Sequence, residues 1–379
     1  MNNTIYDVII VGSGPAGSSA AYELARNGIH TAILEKEQHP RNKPCGGGLV
    51  FKARKMIPFD ISGIAEREFY SGVINLVKEN MGFTVTREQP VITIVKREIF
   101  DRVFCEHSVA EGAELFENCP VEDISNGSLI NISTTHGVFR SRFVIAADGA
   151  LSRTAKLCGW KDSRHIIPTI HARLTTGDKE YECIKDMIRF DIGVIPNGYG
   201  WLFPGIDGIS IGLATTKRSK ADLKGYYKRY IDYLGISGID SEIFFGYVIP
   251  LSPRRDGFFR NNVLLAGDAA GFADPVTAEG ISNAILSGKL AAESVINGWS
   301  DSREVELLFQ KKLNESILPQ LKIARYLAKL FYNNDWLRKR IFAKKGQKLS
   351  EFVTDIFMGT RHYPINTIEY ARSKIKTLL

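Results

Sequence analysis

Two kinds of pattern divide this chain. Toward both ends, short unbroken apolar runs alternate with helical stretches, whereas from about residue 165 to 250 two-residue alternation dominates. IYDVIIV (5–11) reads as a buried parallel strand, because every position but one or two is apolar and a glycine turn follows at once. GPAGSSAAYELARNG is a small-residue helix closed by Gly28, and HTAILEKE is the next strand, which completes a βαβ unit in about thirty residues. VITIVK, SRFVIAAD and NNVLLAGD predict further strands. REIFDRVFCEHSVAEG, TAEGISNAILSGKLAAESVING and the segments after 303 predict helices. TIHARLTT, DMIRFDIG, YGWLFPG, GISIGLATT and EIFFGYVIP predict an antiparallel sheet inserted between the α/β stretches.

Within that sheet the stretch NGYGWLFPG (197–205) stands out. Tyr199, Trp201 and Phe203 alternate with period two, so an extended segment presents all three on one face. Alternation alone favours a core stripe over the wall of an apolar pocket.

Composition narrows the class. The 379 residues are 44% hydrophobic and 24% charged, an ordinary globular balance, and enough chain for two interlocked domains. Five scattered cysteines without CxxC spacing (45, 105, 119, 158, 183) argue against a disulfide framework or a metal cluster and fit a reducing cytoplasm. The seven histidines show no metal-ligand spacing, and surface or packing roles are expected for all of them. No stretch of about 18 apolar residues occurs. The net charge of +7 is local: residues 311–350 carry eleven Lys or Arg against Glu315 and Asp335. No nucleic-acid motif accompanies this basicity. Interleaved with Leu321, Leu327, Leu330, Trp336 and Ile341, it fits either a helix pair covering the body or a peripheral contact with a membrane surface.

The strongest chemical signal is VGSGPAG (11–17), between a strand and a helix. Gly12 makes the tight turn, Gly14 admits a pyrophosphate to the backbone, and Gly17 allows close helix–strand packing. The helix that starts here offers unpaired N–H groups and a positive dipole end. Glu35, at the end of the second strand, is placed to accept ribose hydroxyls. Two later stretches end strands on carboxylates: Asp148 and Gly149 in FVIAADGALSR, and Asp268 in LLAGDAAGFADPVTAEGI, where a helix begins near Gly280.

This triplet resembles FAD-dependent oxidoreductases of the aromatic-hydroxylase superfamily over roughly the first 300 residues. KPCGGGLV (43–50) and PNGYGWLFP (196–204), the second fitting the pattern PxxYxWxFP, resemble the geranylgeranyl reductase family. The resemblance implies an α/β fold: a Rossmann-like FAD-binding domain (1–75, 97–160 and 251–300), an inserted antiparallel β-sheet substrate domain (76–96 and 161–250) and a helical C-terminal region (301–379). It implies an FAD site built from Gly12, Gly14, Ala16, Gly17, Glu35, Lys36, Cys45, Gly46, Gly48, Arg97, Val121, Asp148, Gly149, Asp268, Gly280 and Ile281. Arg97 would lie near the pyrophosphate, with Asp101 as its helix partner. Cys45, Tyr199 and Trp201 become the catalytic candidates: two aromatics lining a tunnel for a prenyl lipid, and a thiol that either delivers a proton or packs on the flavin ring. The implied reaction is saturation of isoprenoid double bonds by hydride from reduced flavin, fed by NADPH or a ferredoxin-like protein; a second GxGxxG is absent. The alternatives are a monooxygenase or halogenase, or a flavoprotein–quinone oxidoreductase. Gly271, where aromatic hydroxylases usually carry histidine, and the absent WxWxIP string weigh against the first.

Overall fold

A computed structural model describes residues 4–217 and 222–364; the last part of the expected helical region, 365–379, lies outside the described residues. Three sheets organise the chain. The first has eight strands and a parallel centre in the order Val263–Leu265, Gly137–Ala146, Ile5–Val11, Thr31–Leu34, Glu114–Phe116. Its strands are buried on both faces, as their unbroken apolar runs require. Helices Pro15–Ala25 and Ile281–Asn297 pack together on it, and the small residues permit close approach: a Cβ on Gly288 would meet the Ala16 carbonyl oxygen at 2.0 Å. Gly12 turns the chain from strand to helix at φ +97°, with the Ala147 carbonyl so near that a Cβ would sit 2.7 Å from it.

The second sheet has seven strands, in the order Ile239–Pro250, Ile166–Thr176, Ile209–Thr215, Gly198–Pro204, Ile188–Ile192, Ser71–Leu76, Met81–Thr86. All neighbours are antiparallel except Ile188–Ile192 with Ser71–Leu76. A small three-stranded sheet (Gly48–Val50, Ile92–Val95, Ala65–Phe69) shares a core with the second. The fold is thus α/β with a mostly antiparallel sheet and C-terminal helices.

Pattern reading missed two helices among the inserted strands, the shorter being Asp178–Ile184. The stretch 165–250 is not all strand: Leu223–Leu234 is a helix, with Asp222 accepting from the Gly225 N–H at 2.9 Å and Gly235 ending it in the left-handed region. Tyr227, Tyr230 and Ile231 recur at helical spacing and bury against the back of the seven-stranded sheet. The C-terminal helices Ser302–Ser316, Leu318–Asn333 and Asp335–Met358 follow, the last kinked at Lys345 so that Gly346 lies flat on the Phe83 ring.

Gly288→Ala tests the tightest of these helix contacts. We expect a loss of about 1–3 kcal/mol from overpacking, read as a lower unfolding midpoint. Because the displaced helix begins at the glycine motif, a lower content of the dinucleotide expected at that motif should accompany it in the purified protein.

Candidate functional site

Strand pairing sets a row of side chains across the seven-stranded sheet. Phe190 opposes Trp201, Trp201 opposes Gly212, Gly212 opposes His171, and His171 opposes Phe245. Directly paired residues share a face. Gly212 has no side chain to fill its place, and the Trp201 ring occupies it: a Cβ there would lie 2.1 Å from the indole. The indole therefore reaches across to His171, whose ring lies at 6.3 Å and 23° to it, with Phe245 stacked beyond at 5.2 Å. One step along the strand, Tyr199 stands on the same face. The alternating stripe is thus the floor of a space.

That space is a cavity of about 500 Å³ between the two large sheets. Gly12, Gly14, Ala16, Glu35, Lys36, Cys45, Gly46, Gly48, Arg97, Val121, Asp148, Gly149, Tyr199, Trp201, Asp268, Gly280 and Ile281 all line it. Gly17 does not; it packs under Gly12, whose carbonyl would meet a Cβ at 1.8 Å. The glycine loop after Cys45 is seated on the aromatic floor, since a Cβ on Gly46 would meet the Trp201 indole nitrogen at 2.8 Å and one on Gly48 the Phe203 ring at 2.9 Å. The two quoted stretches, far apart in sequence, are in van der Waals contact.

A chain of buried charges runs behind the loop. The Glu35 carboxylate accepts from the Ser13 N–H (2.9 Å) and hydroxyl (2.6 Å) and pairs with Arg41 at 3.3 Å. Arg41 also pairs with Asp101 at 3.0 Å, and Arg97 bonds both Asp101 oxygens at 2.9 and 3.0 Å. Burial opposes ionisation of Glu35 and Asp101, yet the facing guanidiniums hold both below the ordinary carboxylate range. Burial likewise opposes the Arg97 charge, but Asp101 and the Cys45 sulfur keep the guanidinium above its usual value. Asp101 is therefore more than a helix partner, since it carries two arginines.

Asp268 differs. Among the described residues its carboxylate has no hydrogen bond or ion pair, and burial raises it above the aspartate range despite Lys43, Arg97 and Arg164 nearby. Asp148 is committed to the start of helix Arg153–Leu157, accepting from Ser152 (2.5 Å) and the Thr154 N–H (2.9 Å). Beyond Asp268, the loop 274–280 is fastened by three tyrosines: Tyr199 donates to the Thr277 carbonyl (2.8 Å), Tyr332 to that of Val276 (2.6 Å) and Tyr363 to Asp274 (3.2 Å). Their low-dielectric surroundings raise all three phenols, with Asp274 adding to the effect.

Comparison with known proteins supplies the family. A profile of the FAD binding domain matches residues 5–173. An uncharacterized protein of Methanosarcina barkeri is 31% identical over 87% of this chain and 84% of its own length. The chloroplastic geranylgeranyl diphosphate reductase of Nicotiana tabacum is 28% identical over 98% of this chain and 84% of its own. The digeranylgeranylglycerophospholipid reductase of Methanocaldococcus jannaschii is 27% identical over 86% and 88%. Among solved structures, a geranylgeranyl bacteriochlorophyll reductase-like protein of Thermoplasma acidophilum superposes with a TM-score of 0.75 over 93% of this chain and 92% of that one, at 24% identity. The chain belongs to the geranylgeranyl reductase family. It is an FAD-dependent oxidoreductase.

The residues present fit FAD. The helix after Gly14 has no side chain capping its N-terminus and opens on the cavity, as a pyrophosphate site requires. The unpartnered Asp268 carboxylate suits the hydroxyls of a ribityl chain, and the cavity continues from there to the aromatic floor.

Sequence reasoning missed Arg41, Lys43, His171, Phe190, Phe245, Tyr247 and Phe357, all in the cavity wall. Lys43 donates to the Tyr247 hydroxyl at 3.0 Å and sits over that ring. His171, expected to be a surface or packing residue, lines the cavity instead, because the Gly212 gap brings it to Trp201. Strand register identifies His171, Phe190, Phe245 and Tyr247, whereas Phe357 arrives from helix Asp335–Met358 and Arg41 and Lys43 lie on the loop before Cys45.

Burial, with Arg173 adding and Glu98 opposing, lowers the His171 pKa from 6.5 to about 4. Between those values the unfolded chain binds a proton that the folded chain refuses, so stability falls as pH drops through that window. The shift corresponds to roughly 3 kcal/mol at its lower end. Denaturant titrations of wild type and His171→Phe at pH 7 and near pH 4 check this: the variant is expected to lose correspondingly less.

Proposed function

We propose that this protein saturates carbon–carbon double bonds of an isoprenoid lipid. The supporting observation is a second, almost wholly apolar chamber of about 230 Å³ that shares Phe190, Tyr199, Thr277 and Phe357 with the first cavity. It lies among Ile74, Ile192, Leu327, Phe331, Ile341, Phe342 and Val353, between the sheet and the C-terminal helices. A long hydrocarbon fits a site that continues past the aromatic floor; a small polar substrate has no use for it. Relatives named for geranylgeranyl diphosphate and for digeranylgeranylglycerophospholipid point to the same chemical class.

The glycine motif, Glu35 and Asp268 would hold FAD, which in its reduced form would supply a hydride. The chain must hold an unactivated alkene in place, keep water out and provide a proton. Trp201, Phe203, Phe190 and Tyr199 give stiff apolar walls at small entropic cost. Cys45, on the glycine loop seated against Trp201, would give its proton to the second carbon, and Arg97 beside the sulfur would stabilise the thiolate left behind. NADPH or a ferredoxin-like protein would return electrons.

The second chamber reaches the surface at Leu330 and Ile341, 38% and 40% exposed, next to Trp336, which is 66% exposed with Arg340 over its ring. Lys339, Lys344 and Lys345 are exposed on the same helix. No helix of the described residues is long and apolar enough to cross a membrane. A basic, aromatic corner around a lipid-sized opening suits peripheral contact with anionic lipid.

Two measurements test this reading. Dithionite-reduced enzyme incubated without oxygen with geranylgeranyl diphosphate or a digeranylgeranyl ether lipid is expected to add pairs of hydrogens, seen by mass spectrometry. No mass gain with either, or rapid substrate-dependent oxygen uptake in a parallel aerobic assay, overturns the proposal. Replacing Lys339, Lys344 and Lys345 together with Gln is expected to weaken binding to anionic liposomes roughly a hundredfold, at about 1 kcal/mol per lysine; unchanged partitioning removes the membrane contact.

A further inference from the structure

His171 is 4% exposed, and neither ring nitrogen has a hydrogen-bond partner among the described residues. Its neighbours on the same strand face are all engaged. The Thr169 hydroxyl donates to the Tyr247 carbonyl at 3.2 Å, the Tyr247 hydroxyl accepts from Lys43, and Arg173 is paired with Glu98 at 2.9 Å. Buried polar groups are nearly always satisfied, and one left unmet costs more than an apolar side chain of the same shape. Phenylalanine would complete the stack between Trp201 and Phe245 without that cost. The imidazole nonetheless stands in the cavity wall, amid aromatic rings, with its hydrogen-bonding capacity unused by the protein.

We propose that His171 binds a neutral oxygen atom of the substrate (an ether or hydroxyl oxygen of the prenyl lipid) by donating a hydrogen bond from its neutral ring. This rests on the isoprenoid reading and adds direction to it. The oxygen-bearing end of the lipid lies over the sheet at His171, and the hydrocarbon runs past Tyr199 and Phe357 into the chamber beneath the C-terminal helices, whose lining offers almost no polar surface. With the oxygen anchored, the distance along the chain decides which double bond faces Cys45.

The test is equilibrium binding to the oxidised, FAD-loaded enzyme, read by flavin absorbance and tryptophan fluorescence. The probes are geranylgeraniol and a prenyl hydrocarbon of the same length without oxygen. Wild type is expected to bind the alcohol roughly threefold to tenfold more tightly, the net value of one hydrogen bond. His171→Phe removes that preference while leaving hydrocarbon binding unchanged, and His171→Gln restores part of it. Equal affinity of wild type for both probes overturns the proposal even if neither variant folds. Equal weakening of both probes in His171→Phe overturns it in favour of a packing role, and a lowered flavin content or shifted flavin spectrum in that variant does so in favour of a cofactor contact. If wild type binds neither probe, the isoprenoid reading itself fails and takes this inference with it.

Discussion

The seating of one indole governs the shape of this molecule's interior. Trp201 lies across the space that a side chain at Gly212 would fill, and the Cys45 glycine loop rests against its indole nitrogen. Both contacts need a missing Cβ: on one side a strand residue, on the other a loop. Dense packing of this kind tolerates little change in volume. The ring-walled slot lies between the two large sheets, and the loop cannot press closer to the aromatic floor without moving the indole.

Charge plays the complementary part. Glu35, Arg41, Asp101 and Arg97 form an alternating line from the dinucleotide turn to the Cys45 sulfur. Buried pairs of this sort contribute little net stability once desolvation is counted, but removing a single member strands an uncompensated charge. Their effect is positional: Glu35 and the Cys45 thiol are tied into one network, as the proposed nucleotide-binding and proton-donating roles require. Asp268, without such a partner, is the carboxylate left available to a ligand.

Much of this arrangement could be read from residue order. The βαβ unit and the strand-end aspartates declare themselves through local pattern, because parallel strands buried on both faces are apolar throughout and phosphate-binding turns need glycine. PNGYGWLFP announced one face of aromatics. What pattern could not supply was which strands lie beside it. His171, Phe190 and Phe245 join Trp201 only through pairings across sequence gaps of 11 to 74 residues, fixed by the register of the folded sheet. The helix Leu223–Leu234 was hidden for a different reason: its tyrosines satisfy a strand-like composition, and its identity rests on the Asp222 cap and the Gly235 stop. Phe357 entered the wall from a helix that looked like a cover.

The three tyrosine straps on loop 274–280 give that cover a mechanical role. One strap comes from the sheet and two from beyond residue 330, so this segment of the first cavity's wall is moored to the same C-terminal region that encloses the apolar chamber. A tail that settles that region would also steady the moorings. Whatever factor lipid occupancy adds to flavin retention, flavin must add to lipid affinity.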